Sequence, residues 1–451
     1  MGSRRCRIRR SEAEMTTATD TVSKVPTNRT ITALISAVES ELADIVTQLA
    51  DDAVVSRLTK SADLLKWLRI ELGVDRTDES AAEARLLAAN SGGGEAEREQ
   101  REALLRLRAL RSSMAAPSEH SAAVVMEADQ SAEARPGGIP SVEQVTEYLD
   151  ARNAGDRAHS VRAIVGGYSK VTLLVTATLN GDKQEIVLRQ TPAGRQSRSL
   201  GIEFGVVQFV YDRGLPAPKP LWIEPSENGL GGAFFAMEKA AGANIGDVWG
   251  TKGATREICL EIAEIYARLH QIPVDGLTTP ISPRSTPSEL QAMITWQRDV
   301  LDKRGIEVEP VLATLLTWLE SNIPAEAPRK SLIHGDAAFS NLLINDGHVS
   351  AVLDWEAAHI GDAADELAYL KPSVESVMPW SDFVAHYVSA GGLEPTDQAM
   401  RFYEVWSHVW RAMGCLWLKQ NFESTGRYAS AVAAFVHGPR FLDEAVTAAF
   451  L

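Results

Sequence analysis

One stretch of the chain holds side chains whose types and spacing could do chemistry together. Asp336 closes Leu332-Ile333-His334-Gly335-Asp336, Asn341 follows five residues on, and Asp354 stands in Val352-Leu353-Asp354-Trp355-Glu356. An Asp on a short loop can accept the proton of a hydroxyl. An Asn at the far end of that loop can turn its amide oxygen toward a metal, and an Asp after the next hairpin strand can offer the same metal a hard carboxylate, since Mg²⁺ prefers oxygen ligands. Phosphoryl transfer asks little covalent help of a protein; it needs an oriented hydroxyl, a divalent cation on the phosphate oxygens and in-line geometry. A lone His-Gly-Asp is more often a turn, and it is the company of Asn341 and Asp354 that makes this one a site. His334 reads as a hydrogen-bonder that holds the loop rather than as a base. Asp362 reads as the N-cap of the helix that begins there, and His270 as support for the core.

Those residues need elements to position them. Leu342-Leu343-Ile344 and Val349 to Leu353 alternate across Asp346-Gly347, a hairpin that carries Asn341 and Asp354 at its two ends. Upstream, Val171, Leu173, Val175, Ala177 and Leu179 recur with period two, a strand that turns at Asn180-Gly181 and returns over Glu185 to Arg189. A helix is expected around Leu200 to Tyr211, then strands at Leu221-Trp222-Ile223 and Ala233 to Met237. From Ala254 the chain reads as mostly helical. Ser141 and Gln144 form a capping box that opens a short helix through Leu149. Phe402, Val405, Trp406, Val409, Trp410, Met413, Leu416 and Trp417 make one broad helical stripe, mostly core, with some of the tryptophans free to line a pocket. A small antiparallel sheet with one helix, followed by a larger helical lobe, is an arrangement that can hold a nucleotide between two lobes.

The amino-terminal part has another texture. Residues 1–30 read as a disordered tail. Residues 31–114 read as a small helical domain, with apolar residues at helical spacing over 31–50, 55–72 and 95–114. Residues 115–140, rich in Ala, Ser, Glu, Pro and Gly, read as a linker. The lobes that follow are expected to fold without residues 1–135, and the helical domain is a candidate docking point for a protein partner. Among the chain's 451 residues, Lys and Arg total 45 against 60 Asp and Glu, a net charge of −15. So acidic a surface does not suit nucleic acid or anionic lipid. Cys6, Cys259 and Cys415 form no pair and no zinc spacing, which points to reduced thiols and a cytoplasmic protein. No run of apolar residues is long enough to span a membrane.

HGDxxxxN at 334–341 followed by LDWE at 353–356, with Gly361-Asp362-Ala363-Ala364-Asp365-Glu366-Leu367-Ala368 after it, resembles the signature of the aminoglycoside/choline kinase-like phosphotransferases. The likeness runs from about residue 155 to the C-terminus. It implies an α+β, protein-kinase-like two-lobed fold, with residues 141–240 as a small antiparallel β lobe and 241–451 as a large helical lobe. It implies ATP and Mg²⁺ as cofactors, Asp336 as the catalytic residue, and Asn341 and Asp354 as metal ligands. Gly166, Gly167 and Ser169 stand where the family has its GGxSN phosphate loop, with Lys170 in place of the Asn. Arg189 falls where kinases carry the strand lysine, and Glu203 on the following helix is expected to pair with it. Phe235 to Gly242 resembles the hinge, which would bring the backbone of Glu238 and Ala240 to adenine.

The implied activity is transfer of the ATP γ-phosphate to a hydroxyl of a small molecule. The LR strand and Trp-rich last helix look closest to the branch associated with acyl-CoA dehydrogenases, so a hydroxyacyl thioester is a candidate acceptor. The alternatives are an antibiotic kinase, for an aminoglycoside or a macrolide, and a non-catalytic nucleotide-binding module. The mildly acidic 371–451 region argues weakly against a polycationic acceptor.

Overall fold

The computed structural model describes Leu86 and residues 102–106, 139–164, 170–191, 198–226, 228–245, 254–306, 308–425 and 437–451. Gly166, Gly167 and Ser169, the expected tail and linker up to residue 138, and the helices expected over 31–50 and 55–72 lie outside the described residues.

The chain enters the small lobe through α1 (Val142–Arg152), where the expected capping box forms: Ser141 Oγ accepts the Gln144 amide, and the Gln144 side chain accepts the Ser141 amide. Then come β1 (Arg157–Ile164), β2 (Val171–Leu179), β3 (Asp182–Gln190), α2 (Arg198–Tyr211), β4 (Pro220–Glu224) and β5 (Phe234–Glu238). The strands build one five-stranded antiparallel sheet in the order β1-β2-β3-β5-β4. Asn180 and Gly181 both take positive φ at the β2–β3 turn, as a two-residue hairpin requires. The period-two face of β2 is buried with Val145 and Leu149 of α1, so alternation in the sequence becomes one layer of core.

The large lobe begins with β6 (Ala243–Asn244), α3 (Arg256–Gln271), β7 (Pro283–Arg284), α4 (Pro287–Lys303), α5 (Pro310–Ser321) and β8 (Ser331–Ile333). It continues through β9 (Leu342–Asn345), β10 (His348–Val352), β11 (His359–Gly361), α6 (Ala363–Glu375), α7 (Trp380–Ser389), α8 (Asp397–Thr425) and α9 (Gly438–Phe450). β9 and β10 form the expected hairpin across Asp346-Gly347, and β6 pairs on its far side. A second small sheet, β7-β11-β8, runs directly into the His334-Gly335-Asp336 loop. The α+β, two-lobed architecture is the one the sequence implies.

Two apolar clusters hold the large lobe. One joins α3, α6, α7 and the β9–β10 hairpin, and Val206, Val207, Phe209 and Val210 of α2 are buried in it. The small lobe's helix is thereby seated on the large lobe. The other cluster packs α4, α5, α8 and α9, and it contains Leu86, Ala103 and Leu104, all at most 5% exposed. Residues 102–106 are helical, within the helix expected over 95–114. At these positions the amino-terminal segment shares the large lobe's core, which its own amphipathic pattern does not announce.

Candidate active site

β8 delivers the chain into His334-Gly335-Asp336. Gly335 has a φ of +81°, and a side chain there would come within 2.5 Å of the Ala357 carbonyl oxygen, so only glycine lets the loop lie against the next one. Tyr369 Oη donates to Asp336 Oδ1 at 2.5 Å, and Asn341 Nδ2 donates to Oδ2 at 3.1 Å. Each carboxylate oxygen is thus fixed while keeping room to accept once more. Because Asn341 spends its amide nitrogen on Asp336, its Oδ1 is the atom left to face a cation. Asn341 is tied in turn to the strand that carries Asp354, since its carbonyl accepts the Leu353 amide at 2.8 Å.

His334 is buried and joins these two loops. Its Nε2 lies 2.7 Å from the Leu353 carbonyl oxygen, which can only accept, so Nε2 carries the proton. Nδ1 then accepts the Asp336 amide at 3.2 Å. With both nitrogens so used, His334 holds the loop, as its sequence context implies. Beneath it the buried Glu366 accepts the His334 and Gly335 amides at 2.5 and 3.3 Å. Burial pushes the Glu366 carboxyl up to about 7, with His334 pulling the other way. Asp362 caps α6 through the Ala364 amide. His270 is core: burial lowers it to about 3, and its Nδ1 pairs with the Tyr387 hydroxyl at 2.9 Å.

The opposite wall comes from the small lobe. Arg189 on β3 sets its Nε 2.7 Å from Glu203 Oε1 and reaches Asp354 Oδ1 with its Nη2. Lys170, at the start of β2, pairs with Glu203 as well and spans to Glu356 at 2.7 Å. The expected Arg189–Glu203 pair is therefore present, with a second cation beside it. Burial works to lower the Arg189 pKa, but Glu203, Asp354 and Glu356 outweigh it and the net shift is upward. Asp354 is held at φ 68°, ψ 56°, a left-handed conformation that costs a non-glycine residue about 1–2 kcal/mol. Burial raises its carboxyl, and Arg189 acts against that rise. An outlier of this kind at the convergence of four carboxylates and two cations marks a site.

Asn341 Oδ1 and Asp354 are two oxygen donors from one hairpin. Among the described residues no group of three or more His, Cys, Asp and Glu side chains is placed to hold a metal. Two protein oxygens, with substrate phosphates completing the shell, is the arrangement Mg²⁺ favours, so the residues present fit that ion. At the hinge, the Glu238 amide donates to the Lys219 carbonyl at 2.9 Å. That leaves the Glu238 carbonyl, rather than its amide, for an adenine contact. Ala240 lies half-buried at the end of β5's extension.

Beside the catalytic loop lies a cavity of about 190 Å³, lined by Gly335 and Tyr369 together with Arg284, Gln297, Trp406 and Trp410. Tyr369 connects the two regions, since it lines the cavity and bonds Asp336. Arg411 buttresses it, donating to its carbonyl at 3.1 Å and lying 3.8 Å over its ring.

The model of the phosphotransferase enzyme family (APH) matches residues 160–403, more than half of the chain. The chain belongs to this family. Within it, the chain is 28% identical over 203 residues to acyl-CoA dehydrogenase family member 11 of Rattus norvegicus, covering 43% of this chain and 26% of that protein. It thus spans about a quarter of the length of that relative. It is 21% identical over 238 residues to an aminoglycoside 3′-phosphotransferase of Enterococcus faecalis, covering 50% of this chain and 85% of that one. In fold it is similar to a crystal structure of a proposed aminoglycoside phosphotransferase from Ralstonia eutropha, with TM-score 0.54, 21% identity, and coverage of 68% of this chain and 98% of that one. Among the described residues no helix is long and apolar enough to cross a membrane.

Sequence reasoning missed several residues of this phosphotransferase site. Tyr369 left one trace: Asp365, Glu366 and Tyr369 recur at helical spacing in the buried first half of their helix, a polar face where a core face is due. Lys170 and Glu356 belong to motifs but had no assigned partner. Arg284 and Gln297 lie far from every motif.

Proposed function

We propose that the chain transfers the γ-phosphoryl group of ATP to a hydroxyl of a small molecule, and that the acceptor is a hydroxyacyl thioester. The observation that carries the transfer is the placement of Asp336, held by Tyr369 on the cavity side and by Asn341 on the side of Asp354. In this reading the acceptor hydroxyl donates to Asp336, which orients it and takes its proton as the phosphoryl group arrives. Arg189 and Lys170, set by Glu203, provide positive charge toward the phosphates, and Gly166, Gly167 and Ser169 would add backbone and hydroxyl donors to them. Asn341 and Asp354 would hold Mg²⁺, which when bound neutralises charge on the β- and γ-phosphate oxygens. The Glu238 carbonyl and the Ala240 amide would meet adenine.

The cavity supports the acceptor class. Its charged side chains are few and largely balanced: Glu356 is paired with Lys170, and Asp365 acts on Arg284 in the same wall. A polycationic aminoglycoside calls for unbalanced negative charge, whereas tryptophan walls suit an acyl chain. Similarity to acyl-CoA dehydrogenase family members points the same way. The test is transfer of ³²P from ATP to 4-hydroxybutanoyl-CoA, beside an aminoglycoside and a macrolide. Label in the thioester at the highest kcat/KM supports the reading. Preferred labelling of an antibiotic would overturn the acceptor, and no transfer to any hydroxyl would overturn the activity.

A further inference from the structure

The apolar stripe of α4 runs through Leu290, Met293, Ile294 and Leu301, and Gln297 occupies its middle. Gln297 is 1% exposed. Neither its Nε2 nor its Oε1 has a hydrogen-bond partner among the described residues. A carboxamide taken out of water with nothing to bond costs stability, and proteins rarely keep one without a use for it. This one lines the cavity beside the catalytic loop.

Its surroundings define what it could bind. Trp406 and Trp410 stand with ring centroids 6.3 Å apart and planes 30° from each other. Trp296, adjacent in sequence to Gln297, is 55% exposed and lines the same cavity. Arg284 is placed there by β7, which runs parallel to β11 with Arg284 opposite Gly361. Arg284 shares the wall with Asp365 and with Glu356, which Lys170 pairs, so little unbalanced charge is left for an ionic guest. Indole faces accept flat, neutral groups.

We propose that the cavity recognises its acceptor through an amide group, and that Gln297 is the residue that reads it. A secondary amide is trans and shows its carbonyl and N–H on opposite edges, so Gln297 meets one of them: Nε2 donates to the acceptor's carbonyl oxygen, while the indoles cover the faces of the group. The inference rests on the proposed phosphotransferase reading only for the acceptor's hydroxyl; the recognition itself is a binding property. Two sources offer this chemistry, the amide-bearing arm of a pantetheine thioester and an N-acylated amino alcohol. A site whose polar groups are left unpaired by a ligand lacking their partner discriminates strongly against that ligand.

The experiment compares three acceptors with the full chain: 4-hydroxybutanoyl-pantetheine, N-(4-hydroxybutyl)acetamide, and 1,6-hexanediol, which has hydroxyls and no amide. Binding is followed by tryptophan fluorescence and transfer by ³²P, in the wild type and in Gln297→Met, a substitution close in volume. In the wild type at least one amide should bind, and be phosphorylated, with a preference over the diol of at least about tenfold. Gln297→Met should reduce that preference at least about tenfold, and raise the melting temperature by about 2–4 °C by removing an unpaired buried amide. The favoured amide identifies the source. Equal binding of amide and diol by the wild type, or an undiminished preference in Gln297→Met, would overturn the proposal. Fluorescence that reports the amide preference and its loss, without phosphoryl transfer to any of the three, would sustain the recognition and sink the kinase reading instead.

Discussion

The two walls of the catalytic loop are built on opposite plans. The side proposed to hold phosphate is charged, and each of its two halves is short-range in sequence: Asp336, Asn341 and Asp354 come from one loop and one hairpin, and Arg189 and Glu203 from a strand and the helix after it. The acceptor side is aromatic and assembled from distant pieces, β7, α4, α6 and α8, which bring Arg284, Gln297, Tyr369, Trp406 and Trp410 to one cavity. The difference follows from what each side must do. A nucleotide phosphate and a metal ask for fixed charges at fixed spacing, which a short motif can encode. An acceptor asks for a shape, and shape is made by packing.

Substitutions can break this contrast or sharpen it. The largest effect is expected at the junction. Asp336→Asn should keep the fold and ATP binding and lower turnover at least about a hundredfold, the scale of a positioned proton acceptor; near-normal kcat in a steady-state assay would remove Asp336 from the mechanism. On the phosphate side, Asp354→Ala should lose Mg²⁺-dependent activity more completely than Asn341→Ala, because a carboxylate binds the ion more strongly than an amide. An Asp354→Ala activity curve that overlays the wild type across a Mg²⁺ titration contradicts the ligand assignment. On the acceptor side, Trp410→Ala should raise the acceptor KM about tenfold, the order of a lost aromatic contact. A change confined to the ATP KM would place Trp410 on the wrong wall.

The smallest effect concerns the support beneath both walls. Glu366 has its carboxyl raised to about 7 from an ordinary 4.5, so the folded chain binds the proton more tightly than the unfolded chain does. Its contribution to stability is then fully present below about 4.5 and is lost as the pH rises through about 7. Melting temperatures from pH 5 to 8 should fall less in Glu366→Gln than in the wild type. Identical slopes would mean that the buried carboxyl is already ionised throughout that range.

The same contrast explains what could be read in advance. The strand of alternating apolar residues before Asn180-Gly181, the second hairpin across Asp346-Gly347, the α1 capping box and the Arg189–Glu203 pair were legible because each rests on local periodicity, turn chemistry or a motif. Tyr369 was not, because its contact with Asp336 spans 33 residues and depends on how α6 docks under the loop. Gln297 was legible only as an oddity, a polar residue in an apolar stripe, and the sequence around it says nothing about the cavity. Leu104 belongs to the apolar spacing read over 95–114 as part of a separate helical domain, and with Leu86 and Ala103 it is buried in the large lobe's core. Amphipathic spacing shows that a face is buried and leaves open what covers it. The glycine loop at 166–169 was read from the motif, and it lies outside the described residues.

The hydrogen-bond pattern of His334 has a spectroscopic consequence. Its Nε2 proton is donated to a carbonyl inside the protein, and the ring is fully enclosed. Such a proton can leave only when the loop opens, so it should exchange slowly with solvent deuterium and give a resolved downfield NMR signal. That signal would disappear on any loosening between the Asp336 loop and the Leu353 strand, and the rate of its disappearance would clock the opening of the catalytic loop with no substrate present.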